Sequence, residues 1–281
     1  MGFVTRFAPS PTGQLHLGHA YSALLAFDMA RKADGRFLIR IEDTDTARCT
    51  PMFETQVFDD LAWLGLSWET PVLRQSENTD AYDAALERLG EMGLLYPCSC
   101  TRGDIRRAAS APQEGAPMHG PDGLIYPGTC RHRAWSDRSD TDAVRLHMAR
   151  AVDHLSILPQ YIETGVHPVL RLTPAHLTDE IGDIVLARRN TNTAAYHLSV
   201  VIDDAAQGIT HVIRGEDLAT ATPIHVLLQA LLGLPTPIYH HHRLIRDDAG
   251  KRLAKRDDAR AIALYRAEGH TPQDIRNMVG I

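Results

Sequence analysis

The stretch that decides the fold is Pro-Ser-Pro-Thr-Gly-Gln-Leu-His-Leu-Gly-His, residues 9–19. It lies between a short β-run, Phe3 to Phe7, and a helical pattern from about His16 to Lys32 whose apolar residues recur at spacings of three and four. A second apolar run, Phe37 to Ile41, follows the helix. Strand, crossover helix and strand in this order predict the start of a doubly wound parallel sheet.

The rest of the chain continues the α/β pattern with one interruption. Thr50-Pro51 is typical of a helix N-cap followed by proline, and residues 78–93 predict an amphipathic helix. Residues 98–140 show little periodicity and hold three of the four cysteines, which indicates an irregular insertion. We then expect strands at Val144 to Met148, Val166 to Leu172, Ile181 to Leu186, Tyr196 to Ile202 and Thr210 to Arg214, and a helix from Thr222 to about Leu232.

Composition limits the class of protein. The 281 residues are 44% hydrophobic and 23% charged, which is typical of an ordinary globular chain, and the length predicts about two domains or one enlarged α/β domain. No apolar run approaches 18 residues and no signal-peptide core precedes Phe3, so we expect a cytoplasmic protein without a membrane partner. The net charge of −6 excludes a general basic coat, and any polyanion must meet a local patch.

The loop before the first helix is suited to a phosphate ligand. A helix N-terminus at the carboxyl end of a strand offers free N–H groups and the positive end of the helix dipole. Gly18 would let a nucleotide approach the backbone, and His16 and His19 lie three residues apart on one helical turn. The alternative is that both histidines only cap the helix.

A second basic feature lies late in the chain. Residues 250–256 read Gly-Lys-Arg-Leu-Ala-Lys-Arg, and the segment 240–260 has seven lysines and arginines against four aspartates. Taken alone, such a loop is usually solvated surface. The histidine triplet at 240–242 is interpreted as structural or as lying near the nucleotide.

Together the two features resemble the paired ATP signatures of the class I aminoacyl-tRNA synthetases. Residues 6–13 (Arg-Phe-Ala-Pro-Ser-Pro-Thr-Gly) and 40–45 (Arg-Ile-Glu-Asp-Thr-Asp) resemble the glutamyl branch, as do Tyr196 and residues 214–217 (Arg-Gly-Glu-Asp). The resemblance covers nearly the whole chain. It implies a Rossmann-like doubly wound parallel sheet with a midchain zinc-bearing insertion and a short helical tail.

The resemblance also implies roles for individual residues. ATP, accompanied by Mg²⁺, and L-glutamate would be the small substrates, and His16, His19 and Lys255 would be catalytic. The residues expected around glutamate are Arg6, Ala8, Ser10, Glu42, Tyr196 and Arg214; those expected around ATP are His16, Gly18, His19, Arg252, Lys255 and Arg256. Ala254 stands where the family's basic loop usually has serine, which removes one hydroxyl donor.

Only 25 residues follow Arg256, too few for a helical anticodon-binding domain. In this the chain resembles the glutamyl-queuosine tRNA(Asp) synthetases, which implies transfer of glutamate to queuosine in the anticodon of tRNA(Asp) by a monomer. Two alternatives stay open: a minimal glutamyl-tRNA synthetase that charges a 3′ end, and a non-catalytic, zinc-containing RNA-binding paralogue. Basic residues outnumber acidic ones in segments 98–138 and 240–260, which would suit local RNA contact.

The insertion contains a candidate metal site. Cys98, Cys100 and Cys130 could supply three thiolates to a tetrahedral zinc ion that needs one more ligand. The resemblance implies Tyr126 as the fourth ligand, whereas His119 or His132 would be commoner zinc chemistry. Free buried thiols are the remaining alternative. Cys49 lies outside this group.

The expected domain organisation follows from the family. Residues 1–77 would form the first half of the nucleotide-binding domain, and 191–240 the second half. Residues 78–190 would be an insertion resembling an acceptor-binding domain, with a zinc subdomain near 98–130. Residues 241–281 would hold the basic ATP loop and a short helical tail without an anticodon-binding domain.

Overall fold

The computed structural model describes residues 2–109, 119–166, 168–169, 171–191, 193–246 and 260–281. Its strands are β1 Val4–Phe7, β2 Arg36–Ile41, β3 Leu73–Arg74, β4 Leu95–Cys98, β5 His119–Gly120, β6 Gly123–Leu124, β7 Ala143–Leu146, β8 Val185–Ala187, β9 His211–Gly215 and β10 Ile238–His242. Its α-helices are α1 Leu17–Lys32, α2 Pro51–Trp63, α3 Thr79–Glu91, α4 Arg102–Ala109, α5 Met148–His154, α6 Tyr196–Ala206, α7 Thr222–Leu232, α8 Ile262–Ala267 and α9 Pro272–Val279.

Parallel strands form the part of the molecule that carries the two sequence signatures. β1 pairs with β2 and β2 with β3, all parallel, and β10 pairs parallel with β9. β9 lies beside β1, because the Thr210 N–H donates to the Val4 carbonyl at 2.9 Å. Crossover helices between parallel strands are expected in such a sheet, and α1 connects β1 to β2 as predicted.

The midchain segment has a different architecture. β4, β7 and β8 form an antiparallel sheet, with Leu95 opposite Leu146 and Val144 opposite Ala187. β5 and β6 form a separate two-stranded antiparallel pair. The antiparallel sheet packs with α3, α5, α6 and α7 around one apolar cluster, while β1, β2, α1, α2, α8 and α9 surround another. The proposed domain boundaries stay a prediction.

The largest error of the sequence reading is the strand expected at Tyr196 to Ile202, which is instead the start of α6. The run is apolar and short, and such a run is compatible with a buried helix as well as a buried strand. In the structure Leu198 and Val201 are buried three residues apart, and α6 packs against α3 and α7. A helix here turns the acidic pair Asp203 and Asp204 inward.

Two smaller differences concern other expected strands, whereas the tail is helical as predicted. Between Val166 and Leu172 none of the described residues is in a strand, and Ile181 ends a π-helical turn before β8 begins at Val185. The tail forms two short helices, of which α9 docks on α1 through an ion pair of 2.6 Å between Arg276 and Asp28. Among the described residues no helix is both long enough and apolar enough to cross a membrane.

Candidate active site

A cavity of about 380 Å³ opens where β1, β2, β9 and β10 end and where α1 and α6 begin. It brings together every predicted glutamate residue and every predicted ATP residue that lies in the described part of the chain: Arg6, Ala8, Ser10, His16, Gly18, His19, Glu42, Tyr196 and Arg214. The predicted ATP residues Arg252, Lys255 and Arg256 lie outside the described residues. Ligands of open α/β sheets bind at this edge, so the cavity is the candidate active site.

The two histidines of the first signature begin α1. His16 is the N-cap residue and its Nδ1 accepts from the Gly18 N–H at 3.1 Å, while His19 Nδ1 accepts from the His16 N–H at 3.2 Å. The two rings lie 3.8 Å apart. Because Nδ1 is an acceptor in both, each neutral ring carries its hydrogen on Nε2, which is a donor suited to a phosphate oxygen. The two interpretations of these histidines, capping and ligand binding, are therefore compatible.

One wall of the cavity carries a buried ionic network. Arg6 donates from Nε and Nη2 to the two carboxylate oxygens of Asp204, at 2.8 and 3.2 Å, and Arg40 Nη1 reaches Asp204 Oδ1 at 2.5 Å. Burial opposes ionisation of Asp204, but the guanidinium groups of Arg6 and Arg40 hold its pKa below its ordinary value. Asp204 is therefore a carboxylate that fixes Arg6 in place.

Glu42 is the acidic residue of the cavity that sequence analysis expects near the ammonium group of glutamate. Its Oε1 accepts from Arg40 Nη2 at 3.2 Å, and its backbone N–H donates to the Pro9 carbonyl. Burial raises the pKa of Glu42, against the opposing effect of Arg40 and Arg6. A cationic group placed beside Glu42 would favour its charged form.

Arg214, at the end of β9, has a different environment from Arg6. Its Nε donates to His241 Nε2 at 3.0 Å, its Nη1 contacts His225 Nδ1 at 3.2 Å, and its Nη2 donates to Thr222 Oγ1 at 2.7 Å. Among the described residues no carboxylate pairs with Arg214. Its positive charge is thus held by neutral partners and is directed into the cavity that it lines.

Sequence reasoning missed the residues that hold the two arginines. Asp204, Arg40, His225 and His241 are all buried, and sequence analysis predicted no contact of theirs with either arginine. Arg40 had a signal, because a charged residue inside a strand of apolar residues must find a buried partner. The partners of Arg6 and Arg214 gave none, since Asp204 lies 198 residues from Arg6 in the chain.

The predicted metal ligands come together in the insertion. The Sγ atoms of Cys98, Cys100 and Cys130 all lie within 4.8 Å of one another, and Tyr126 Oη lies 3.3 Å from Cys98 Sγ and 3.4 Å from Cys100 Sγ. In a zinc tetrahedron with Zn–S near 2.3 Å, sulfur atoms are about 3.8 Å apart, and sulfur and oxygen about 3.6 Å. The Cys100–Cys130 distance of 3.6 Å also fits.

The alternatives for the fourth ligand are less well placed. Neither His119 nor His132 joins this group in the described part of the chain. Tyr126 is buried, and its Oη also accepts from the Cys130 N–H at 2.9 Å. Burial opposes ionisation of Cys130, but hydrogen bonds from Tyr126 and Ser99 lower its pKa to about 7. Burial raises the pKa of Cys100 to about 11 and also raises the pKa of Tyr126. The geometry of the four side chains, rather than their acidity, is what makes the donor set compatible with zinc.

A second cavity of about 620 Å³ adjoins the first and shares Tyr196, Asp217 and Leu218 with it. Its lining includes three aspartates and four arginines: Asp122, Asp183, Asp217, Arg102, Arg106, Arg145 and Arg188. We call it the arginine cleft. Its guanidinium groups are suited to an anionic ligand next to the candidate active site.

The family model for tRNA synthetases class I (E and Q), catalytic domain, matches residues 3–281. A Glutamyl-Q tRNA(Asp) synthetase of Rhodobacter capsulatus is 58% identical over 285 residues, covering 99% of this chain and 100% of the relative. The chain belongs to the glutamyl-Q tRNA(Asp) synthetase family. A second family member, from Nocardia farcinica, is 41% identical over 98% of this chain and 83% of the relative.

Solved structures agree with this family. The glutamate-tRNA synthetase of Elizabethkingia anophelis superposes with a TM-score of 0.79 at 27% identity, and a glutamate tRNA ligase of Elizabethkingia meningosepticum, in complex with its amino acid, with 0.77 at 28%. This chain is covered completely and spans 61% of each of those chains. The predicted class I synthetase fold with mixed α/β content and the predicted ligase class are confirmed.

The ionic network yields a prediction about stability. Asp204→Asn should lower the free energy of unfolding at pH 7 by about 3–5 kcal/mol, because two buried guanidinium groups lose their shared carboxylate. Since the pKa of Asp204 is lowered by folding, its contribution is present above the unfolded pKa near 4 and is lost as the pH falls further. The difference between the free energies of unfolding of variant and wild type, measured by urea denaturation, should therefore become smaller at acid pH.

The control is Glu69→Gln, which removes one partner of the exposed Arg36–Glu69 ion pair. Exposed pairs contribute little, so this variant should unfold like the wild type. An Asp204→Asn variant as stable as the Glu69→Gln variant at pH 7 would show that the network does not hold the cavity wall.

Proposed function

We propose that this protein activates L-glutamate with ATP to glutamyl-adenylate and then transfers the glutamate to queuosine in the anticodon of tRNA(Asp). The observation that carries the proposal is the composition of one cavity. Arg6, Arg214 and Glu42 line it together with the donor histidines at the start of α1. The two cations suit the side-chain carboxylate of glutamate, and the anion Glu42 suits its ammonium group.

Arg214 and Arg6, together with Tyr196, are proposed to bind the side-chain carboxylate. Arg6 uses its Nε and Nη2 edge for Asp204, so its Nη1 is the group offered to a ligand. Arg214 adds an uncompensated charge, and Tyr196, the first residue of α6, adds a hydroxyl. Glu42 faces the ammonium group, with Ser10 and Ala8 beside it.

ATP is proposed to bind with its phosphates at the start of α1. There His16 and His19 donate from Nε2 and Gly18 allows close approach. Arg252, Lys255 and Arg256 of the basic loop, which lie outside the described residues, are proposed as further phosphate ligands. Mg²⁺ bound to ATP neutralises part of the phosphate charge. An α-carboxylate oxygen of glutamate attacks the α-phosphorus, and pyrophosphate leaves with the electrons of the broken bond. The residues stabilise charge on the transferring group, which is electrostatic catalysis.

The second step is proposed to use the arginine cleft. It adjoins the candidate active site through Tyr196 and Leu218, so a nucleotide held there lies near the adenylate. A hydroxyl of the queuosine diol attacks the glutamyl carbonyl carbon, an ester forms, AMP leaves and the hydroxyl proton passes to solvent. Unstacked bases in a single-stranded loop are accessible to such a site. The names of the relatives support queuosine in tRNA(Asp) as acceptor.

The proposal extends to a structural zinc ion held by Cys98, Cys100, Cys130 and Tyr126. Cys98 ends β4, and the other three residues lie outside the helices and strands. The apolar cluster around the four residues is small. A closed tetrahedral site would order the insertion by linking β4 to residues 126–130, and it has no open position for a reacting group. The oligomeric state is proposed to be monomeric.

Amino-acid specificity tests the first step. ATP–pyrophosphate exchange without RNA should proceed with glutamate and be poor with glutamine or aspartate, because a neutral or shorter side chain leaves buried arginines unpaired. Lys255→Ala should lower the exchange rate at least about tenfold, since a lost transition-state charge contact costs a few kcal/mol. The matched control is Lys32→Ala, at the exposed end of α1. Equal exchange with glutamine would contradict the proposed pocket.

The acceptor tests the second step. Labelled glutamate should be transferred to tRNA(Asp) that contains queuosine, but not to tRNA(Asp) lacking queuosine or to tRNA(Glu). Queuosine-containing tRNA(Asp) without its 3′-terminal adenosine should still accept, because the ester forms in the anticodon. Charging of tRNA(Glu), or label on the terminal adenosine, would favour the minimal glutamyl-tRNA synthetase that the solved structures resemble.

Metal content tests the zinc site. The purified protein should contain about one zinc per chain, and Cys98→Ser should lose it, because a thiolate ligand is removed. Limited proteolysis should then cut within residues 98–130 of the variant first. Cys49→Ser is the control, since Cys49 Sγ lies near the Glu42 carbonyl and not in the cluster. Retention of zinc by Cys98→Ser would exclude this ligand set.

A further inference from the structure

Arg214 is held from behind by two buried histidines that no part of the proposed chemistry uses. We propose that His225 and His241 are positioning residues, which fix the Arg214 guanidinium toward the side-chain carboxylate of glutamate while leaving its charge uncompensated. The inference rests on the proposed function. It extends that function by naming the residues that make the cavity selective for a second carboxylate.

The hydrogen-bond directions follow from the guanidinium. An arginine side chain only donates, so His241 Nε2 and His225 Nδ1 must both be acceptors. Each neutral ring then carries its hydrogen on the other nitrogen. His241 Nδ1 lies 2.5 Å from Glu163 Oε2, and His225 Nε2 lies 3.1 Å from His197 Nδ1. Each ring thus has a partner that fixes its tautomer.

Each of these two chains of contacts ends near a carboxylate. Glu163 also accepts the backbone N–H of His241 and of Gly165, which anchors it. On the other side, His197 Nε2 lies 3.4 Å from Asp122 Oδ1. A carboxylate one or two rings away orients the histidines in the way that carboxylates orient metal-binding histidines.

Imidazole partners leave more of the positive charge of Arg214 available to a ligand than a carboxylate partner would. Arg6 is paired directly with Asp204, so much of its charge is already balanced. Arg214 has imidazoles in the corresponding position, and Thr222 Oγ1 and the Leu218 carbonyl hold its Nη2. Burial lowers the pKa of His225 far below its ordinary value, and the Arg214 charge adds to the effect, so the ring stays an acceptor.

The two histidines accept through different nitrogens, and this allows a matched design. Asparagine places its amide oxygen near the position of Nδ1, and glutamine places its oxygen near that of Nε2. His225→Asn and His241→Gln therefore keep an acceptor for Arg214, whereas His225→Gln and His241→Asn move it. Within each pair the polarity is the same, so a general folding defect would affect both members.

The experiment measures ATP–pyrophosphate exchange for these four variants, for His225→Leu and His241→Leu, and for the control His240→Gln. His240 contacts Thr164 and lies on the strand next to His241. The leucine variants and the displaced amides should raise the KM for glutamate about tenfold or more. The KM for ATP should stay within about twofold, and the preference for glutamate over glutamine should fall. His225→Asn and His241→Gln should have a KM for glutamate and a preference for glutamate close to those of the wild type, and His240→Gln should behave like the wild type.

Two other outcomes would overturn the inference. If the matched and displaced amides behave alike, or if kcat and the KM for ATP change as much as the KM for glutamate, the histidines only fill space. That result, with an active wild type, leaves the proposed function intact. If the wild type does not exchange with glutamate, the proposed function fails and the inference fails with it.

Discussion

The carboxylate of Asp204, buried between two guanidinium groups, holds together the elements that form the candidate active site. Asp204 lies on α6 and binds Arg6 on β1 and Arg40 on β2. These arginines precede it in the chain by 198 and 164 residues. Such a cluster is a weak source of net stability compared with apolar packing, but losing one member leaves charges buried without partners. The start of α6, with Tyr196, and the end of β1, with Arg6, are thereby kept at one cavity.

The charges of the cavity follow from this arrangement. Arg6 is balanced by Asp204 and is held rigidly, whereas Arg214 is surrounded by imidazoles, a hydroxyl and a carbonyl. Arg6 therefore contributes mainly a fixed position for a hydrogen-bond donor, and Arg214 contributes mainly positive charge. Glu42 accepts from Arg40, which also donates to Asp204, so the anion Glu42 and the paired cation Arg6 belong to one buried network. A ligand with charges of both signs fits this pattern better than a ligand of one sign.

Sequence reasoning located the cavity through local signals. The proline-rich loop, the histidines at the start of α1 and the acidic residue after β2 all belong to short motifs next to periodic segments, and each lines the cavity. It failed at Tyr196 to Ile202, because a mostly apolar run of only seven residues has no period that separates helix from strand. Asp203 and Asp204 continue that run, and on a helix they face the buried arginines. His225 had no local signal, and the triplet at 240–242 did not indicate that His241 contacts Arg214, since only tertiary contact brings these residues together.

The insertion shows how a structural cluster can shape a neighbouring binding surface. The Arg145 guanidinium lies 3.9 Å from the centre of the Tyr126 ring, and its Nη1 donates to the Asp183 carbonyl at 2.8 Å. Asp183 in turn accepts from Tyr96 and from the Met148 N–H, so both contacts are rigid. Arg145 also lines the arginine cleft. The Tyr126 ring, whose hydroxyl contacts the cysteines, therefore packs against a guanidinium group of the cleft and connects the cysteine cluster to the lining of the cleft.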